Sequence, residues 1–155
     1  AEGREFFLRA ADRMQHAAAK DMFRSLARQE ERHISVLEEQ LRRVQKGEAW
    51  VSPSSVKVAV VHRRHVFKDE DLERLGAGAG ASELDVIRLG MDIEKRSIDY
   101  YRRAGSEVKT AKAREVFNWL VGEEAGHLTI LKAEYDNRAR SGFYFDAPEF
   151  SLEVM

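Results

Sequence analysis

Apolar side chains recur at every third or fourth position along most of this chain, which is the spacing of amphipathic helices. Four stretches have this pattern, and polar or glycine-containing segments separate them. They run from residue 1 to about 14, from about 18 to 46, from about 82 to 104 and from about 111 to 140. The pattern therefore predicts an all-α fold made of two helical hairpins.

Local signals mark the ends of these helices. Gly47 and Gly142 follow the second and fourth stretches, where glycine commonly ends a helix. Ser82 and Asp85 have the spacing of a capping box, so we expect the third helix to open there. Residues 48–82 form a crossover of about 35 residues between the hairpins. A connection of this length fits a ferritin-like four-helix bundle, whose second and third helices run parallel.

The expected organisation is one ferritin-like bundle over residues 1–142, followed by a tail at 143–155. A chain of 155 residues is long enough for one domain with a sizeable core. Within the crossover we expect a short helix near residues 69–75, followed by a flexible glycine and alanine run at 76–80. The tail is rich in aromatic residues, so it is expected to dock on the bundle or on a partner subunit.

The two hairpins are repeats of each other. When the sequence is shifted by 94 positions, its halves superpose without a gap, and Glu30-Glu31-Arg32-His33 matches Glu124-Ala125-Gly126-His127. Phe6 and Phe7 then match Tyr100 and Tyr101, Ala10 matches Ala104, Phe23 matches Phe117, Leu26 matches Leu120, and Leu37 matches Leu131. One Glu-x-x-His pair carries little information, whereas two in the same register indicate a common role.

Both Glu-x-x-His pairs interrupt an apolar helical stripe. Residues three apart lie about 60° from each other on a helix face and about 4.5 Å apart along its axis, so this Glu and His can bind one ion. The predicted inward stripes are Phe23, Leu26, Glu30, His33, Leu37, Leu41 and Val44 in the second helix, and Phe117, Leu120, Glu124, His127 and Leu131 in the fourth. Burying such polar groups costs several kcal/mol unless they are paired or bind a metal, so the repeat predicts a metal site.

Glu94 adds a third carboxylate, as the polar member of the apolar stripe of the third helix. Four-helix di-iron carboxylate proteins use one Glu from each of two helices and a Glu-x-x-His from each of the other two. The predicted ligands are Glu30, His33, Glu94, Glu124 and His127, which leaves one Glu missing. The repeat maps Glu94 to the position just before Ala1, where we expect the sixth ligand. Glu2 and Glu5 are poor substitutes, since they lie roughly 160° and 140° around the helix from that position.

Composition narrows the classes of function. A net charge of −1 gives no electrostatic case for binding nucleic acid or an anionic membrane. No apolar run approaches the roughly 20 residues of a membrane span, and no signal peptide is recognisable, so the expected location is the cytoplasm. The sequence contains no cysteine. Disulfides, thiolate ligands and an iron–sulfur centre within this chain are therefore excluded.

Taken together, these motifs resemble the ferritin-like superfamily, and within it the rubrerythrin-related proteins. The resemblance covers almost the whole chain and rests on Gly3-Arg4-Glu5-Phe6-Phe7, Gln29-Glu30-Glu31-Arg32-His33, Ile93-Glu94-Lys95-Arg96-Ser97-Ile98-Asp99-Tyr100-Tyr101 and Glu123-Glu124-Ala125-Gly126-His127. Two features depart from rubrerythrins proper. The chain has no rubredoxin domain with its four cysteines, and Ser97 stands where those proteins place an additional Glu.

The resemblance implies a non-haem di-iron centre, with two iron ions or alternatively manganese, held by the five predicted ligands. It implies an oxidoreductase that reduces hydrogen peroxide or dioxygen with electrons from an external partner such as a rubredoxin-like protein. Tyr100 and Tyr101 are candidate hydrogen donors in the wall of the centre, although plain core packing is the favoured interpretation of both. We expect a homodimer, with no membrane or nucleic-acid partner.

Other interpretations stay open at this point. An iron-binding or ferroxidase-type protein would take up Fe(II) without sustained peroxide turnover, and a structural protein would use metal only to lock the bundle. Glu31 and Glu123 fit the solvent faces of the second and fourth helices. His62 and His65 could bind a metal or an anion, but a solvated basic patch is the favoured interpretation.

Overall fold

The computed structural model of the chain describes residues 2–56, 82–139, 143–144 and 147–148. Within these ranges lie four long helices, α1 (Glu2–Arg13), α2 (Ala17–Gln45), α3 (Glu83–Glu107) and α4 (Ala111–Ala139). A single 3-10 turn, Pro53–Ser55, follows α2, and two short strands, β1 (Phe143–Tyr144) and β2 (Ala147–Pro148), pair antiparallel after α4. The predicted all-α bundle is confirmed, and the small β-hairpin is an addition to it.

The helix ends follow the local sequence at two predicted places. The hydroxyl of Ser82 accepts a hydrogen bond from the N–H of Asp85 at 3.2 Å, and the Asp85 carboxylate accepts one from the N–H of Ser82 at 3.1 Å. This reciprocal pair is the predicted capping box of α3. After α2, Gly47 adopts a φ of 71° and donates its N–H to the carbonyl of Val44. Glycine enters this left-handed region without the strain of a Cβ, which explains the stop.

The third helix continues past its predicted end, because Gly105 does not terminate it. Gly105 is buried where α3 crosses α4, and a Cβ at this position would lie 3.1 Å from the Cβ of Phe117. Its role is therefore a close approach between two helices, and α3 extends to Glu107.

The two hairpins form as predicted, because α1 packs along α2 and α3 packs along α4. Aromatic rings of α1 dominate the larger apolar cluster, in which Phe7 lies 5.3 Å from Phe6 and 6.0 Å from Phe23 between ring centroids. A smaller cluster surrounds Val116 and Leu120 of α4. Each fully buried large apolar side chain contributes about 1.5–3 kcal/mol, so these clusters hold the hairpins together.

The inward stripe of α2 is not the predicted one beyond Leu37, which packs against the smaller cluster as predicted. Leu41 and Val44 are 57% and 50% exposed, whereas Val36 and Gln40 are buried. Two hydrogen bonds explain why Gln40 is buried. Its side-chain amide donates to the carbonyl of Val51 and accepts from the N–H of Val51, both at 3.0 Å. The segment after α2 folds back on this face of the helix, and the Gln40 side chain makes hydrogen bonds to the backbone of that segment.

Several predictions lie outside the described residues. They are the short helix near 69–75, the glycine run at 76–80, His62 and His65, the stop at Gly142, the parts of the aromatic tail other than β1 and β2, and the carboxylate before Ala1. Within the described ranges, no helix is both long enough and apolar enough to cross a membrane.

Candidate metal centre

Three helices bring five potential metal donors into the interior of the bundle. They are Glu30 and His33 from α2, Glu94 from α3, and Glu124 and His127 from α4. Four of these residues are each 1% exposed, and the Glu30 side chain is 12% exposed. The donors lie between the two apolar clusters, at positions where the helical spacing would otherwise place leucine-like side chains.

Glu124 lies between the two histidines and presents one oxygen to each. Its Oε1 is 3.4 Å from Nδ1 of His33, and its Oε2 is 3.1 Å from Nδ1 of His127. Glu30 approaches the same two nitrogens with one oxygen, because its Oε1 is 3.4 Å from Nδ1 of His33 and 3.3 Å from Nδ1 of His127. Both Glu-x-x-His pairs therefore face a common space.

Glu94 completes the centre from the third helix. Its Oε1 lies 3.3 Å from Nδ1 of His127. The donor atoms form two overlapping groups, each with all members within 4.8 Å of one another, and both groups contain Glu124 and His127. Each of these groups could hold a cation, and the two groups share ligands.

Buried donor atoms in this centre have no hydrogen-bond partner among the residues that the structure describes. The atoms are Glu30 Oε1, both ring nitrogens of His33, Glu94 Oε1, Glu124 Oε2 and His127 Nδ1. A buried polar atom without a partner costs about 1–3 kcal/mol. Coordination of a cation would satisfy those that face the common space. The oxygen and imidazole nitrogen donors thus fit a metal site by both placement and chemistry.

Electrostatics within the centre hold protons on the histidines. Burial acts to lower the pKa of His33, but the carboxylates of Glu124 and Glu30 raise it to about 9. Burial acts in the same way on His127, and Glu124, Glu30 and Glu94 raise its pKa to about 12. Burial raises the pKa of Glu94 well above its usual range. Burial would also raise the pKa of Glu124, but His127 and His33 lower it to about 2. Positive charge is stabilised where a metal ion would bind.

The rubrerythrin family model matches residues 1–135, a range that contains all five donors. The chain belongs to the rubrerythrin family. It is also similar to the solved structure of a hypothetical protein from Pyrococcus furiosus, with a TM-score of 0.64 and 23% sequence identity over 92% of this chain and 84% of that one. At this identity the likeness shows the fold. No curated protein matches the sequence.

All five ligand positions predicted for this rubrerythrin-family chain meet at one place in the bundle. Their role as metal ligands stays a prediction, which the geometry supports. The tyrosines behave differently from each other. Tyr100 is 58% exposed, one residue before Tyr101 on α3, so the favoured prediction of core packing was wrong for it. Its role as a hydrogen donor beside the centre stays a prediction.

Tyr101 remains a candidate neighbour of the centre. Its ring packs on Phe117, with centroids 6.4 Å apart, and on Tyr100, at 5.5 Å. Burial raises the pKa of Tyr101, and the carboxylates of Glu124 and Glu30 raise it further. The hydroxyl therefore keeps its proton at neutral pH and is available as a hydrogen-bond donor.

Aromatic rings close two sides of the centre. The ring of Phe7 meets that of His127 edge-on, with centroids 6.5 Å apart, and Trp119 meets His33 edge-on at 5.4 Å. The guanidinium of Arg32 lies 5.7 Å from the Trp119 ring on its outer side. These apolar walls restrict the access of water and strengthen electrostatic interactions inside the centre.

Two polar residues lie beside the centre although they were not predicted there from the sequence. Glu123 was predicted on the solvent face of α4, but its side chain is only 34% exposed and its Oε2 lies 3.7 Å from Nε2 of His33. Gln29 lies with Oε1 at 3.3 Å from Nε2 of His127. The repeat contained the signal, because the shift of 94 positions aligns Gln29 with Glu123.

Proposed function

We propose that this protein is a non-haem di-iron oxidoreductase that reduces hydrogen peroxide, or dioxygen, with electrons from an external donor. The observation that carries the proposal is the convergence of the three carboxylates and two imidazoles in overlapping groups that share Glu124 and His127. Membership of the rubrerythrin family supports the same assignment.

The donor set favours iron, with manganese as the second choice. Carboxylate oxygens and imidazole nitrogens suit both metals, whereas thiolate ligands, which would favour other metals, are absent from the sequence. The three carboxylates of the centre, once ionised, would offset three of the four positive charges of a pair of divalent cations. Those cations would take the place of the protons that the carboxylates now stabilise on His33 and His127.

A pair of bound iron ions would supply the two electrons that break the O–O bond of hydrogen peroxide, which takes up two protons and gives two water molecules. The residues of the chain provide the setting for this reaction. Glu124 directs one oxygen toward each histidine, so it would contribute a ligand atom beside each of them. Phe7 and Trp119 exclude water, and the protonated Tyr101 hydroxyl can donate a hydrogen bond nearby.

Electrons for repeated turnover would come from outside this sequence, because it contains no cysteine and therefore no iron–sulfur centre of its own. A rubredoxin-like protein is the proposed donor. Sustained turnover therefore requires an added reductant, which distinguishes this function from ferroxidase-type uptake of iron.

The test is to load the protein anaerobically with Fe(II), mix it with hydrogen peroxide and follow iron oxidation by absorbance. We expect oxidation that a reductant reverses over many cycles, with far more peroxide consumed than iron present. A single oxidation without recycling would favour a ferroxidase-type protein, and an inert site would contradict both functions. Glu30→Gln should abolish the reaction, and Glu31→Gln is the matched control, because Glu31 faces Arg4 at 3.9 Å.

A further inference from the structure

Each histidine of the centre has an inward and an outward ring nitrogen. The Nδ1 atoms of His33 and His127 face the carboxylates. The Nε2 atoms point away from them and meet Glu123 and Gln29, respectively. Gln29 Oε1 lies 3.3 Å from Nε2 of His127, and Glu123 Oε2 lies 3.7 Å from Nε2 of His33.

These outer contacts cross between the two Glu-x-x-His pairs. Gln29 directly precedes Glu30 on α2 but reaches the histidine of α4, and Glu123 directly precedes Glu124 on α4 but reaches the histidine of α2. The two outer residues are themselves partners in the repeat of 94 positions. The same position of the repeat thus lies beside the histidine of the other half, with an amide in one case and a carboxylate in the other.

The outer contact decides which nitrogen can bind a metal. A neutral imidazole has one N–H, and an acceptor at Nε2 keeps the proton there and leaves Nδ1 free as a ligand. Gln29 already lies within hydrogen-bonding distance of His127. Among the described residues, Nε2 of His33 is buried without a hydrogen-bond partner. Glu123 Oε2 lies 3.7 Å from that nitrogen, just beyond hydrogen-bonding distance, so this partly exposed side chain must move closer to accept from it.

We infer that Gln29 and Glu123 are reciprocal positioning residues that fix Nδ1 of His127 and His33 as the metal ligands, and that they make the two metal positions unequal. The carboxylate of Glu123 increases the basicity of His33, whereas the neutral amide of Gln29 polarises His127 less. This inference rests on the proposed function only in that both histidines bind metal. It requires no redox reaction.

The experiment uses Zn(II) as a diamagnetic probe and records the Hε2 protons of both histidines by NMR. In the wild type, Hε2 of His33 should resonate downfield of Hε2 of His127, because its acceptor is charged. Glu123→Gln should move only the His33 resonance upfield, and Gln29→Glu should move only the His127 resonance downfield. The double variant should exchange the two patterns. Glu31→Gln is the control and should leave both resonances in place.

Metal affinity gives a second measurement. Glu123→Ala should weaken Zn(II) binding at one of two sites by about 10- to 100-fold, as is typical when a metal-binding histidine loses its hydrogen-bond partner. Glu123→Gln should keep most of the affinity. A merely structural role for Glu123 would give equal losses in both variants and no selective movement of Hε2.

Three results would overturn the inference. They are Hε2 resonances that do not respond to either substitution, resonances that move together, and a wild-type protein that does not bind Zn(II). Failure of the proposed function has a different signature. The NMR pattern and its exchange would then persist, while the iron-loaded protein would not turn over peroxide.

Discussion

The imidazole rings of His33 and His127 lie nearly parallel, with centroids 5.3 Å apart and an interplanar angle of 18°. Two positive rings at this distance repel each other, yet the surrounding carboxylates raise the pKa of both. The stacked pair results from the sequence repeat, which places one histidine on α2 and its equivalent on α4. The carboxylates that stabilise these two protonated rings in the metal-free protein are the groups that would bind metal together with the histidines.

Removal of the Glu124 carboxylate should have the largest effect on metal binding. Glu124→Ala should reduce the affinity for Fe(II) by more than about 100-fold, because this side chain approaches both histidines, and outer-shell changes alone cost about 10- to 100-fold. His127→Ala should also sharply lower the bound metal. Titration with Fe(II) under anaerobic conditions measures both effects, and circular dichroism should show helicity close to that of the wild type. Unchanged metal content in either variant would refute the assignment of the site.

Gly3 leaves room for the carboxylate of Glu30. A Cβ at position 3 would lie 2.6 Å from Oε2 of Glu30, so Gly3→Ala should displace this carboxylate and weaken metal binding. Gly122→Ala is the matched control, because nothing lies within 4 Å of a Cβ there. The control should keep its metal affinity and gain roughly 0.5–1 kcal/mol in free energy of unfolding. Equal affinities in the two variants would show that the close approach of Gly3 has no functional consequence.

The amide of Gln40 should contribute to stability and not to metal binding. Gln40→Ala removes two hydrogen bonds to the backbone of Val51 and should lower the free energy of unfolding by about 2 kcal/mol. Urea denaturation measures this change, and Gln45→Ala, an exposed glutamine of the same helix, should stay within about 0.5 kcal/mol of the wild type. If the Gln40 variant were as stable as the wild type, these two hydrogen bonds would not contribute to the stability of the protein.

The metal-free protein should lose stability as the pH rises. The pKa of His33 is raised from 6.5 to about 9 by Glu124 and Glu30, so its protonated form favours the folded state. This contribution is fully present below pH 6.5 and disappears as the pH rises through about 9. Urea denaturation of chelator-treated protein at several pH values measures it. His33→Asn should flatten the decline, and an equally steep decline in this variant would show that His33 is not its source.

Much of the fold and of the centre could be predicted from local patterns. The apolar periodicity located the helices, the capping box at Ser82 fixed the start of α3, and the repeat selected the five donors. The contacts that depend on neighbouring segments could not be predicted. Leu41 fits the stripe of α2 as well as Gln40 does, and only the loop that returns to Gln40 decides which of them is buried.

The same limit applies to residues beside the centre. Tyr100 and Tyr101 are adjacent aromatic residues in the sequence, but they lie on different faces of α3, and Tyr100 is exposed. Glu123 looks like a surface charge until the position of His33 on the neighbouring helix is known. Periodicity describes one helix at a time, so it does not reveal side chains that reach across to another.

Metal content per chain tests the central claim most directly. Protein purified without added metal, and the same protein after anaerobic loading with Fe(II) and removal of excess metal, should be measured by elemental analysis. We expect about two irons per chain, the number held by four-helix di-iron carboxylate proteins. A chain that retains neither iron nor manganese after loading would contradict it, and the buried glutamates and histidines would then form a polar network that only stabilises the fold.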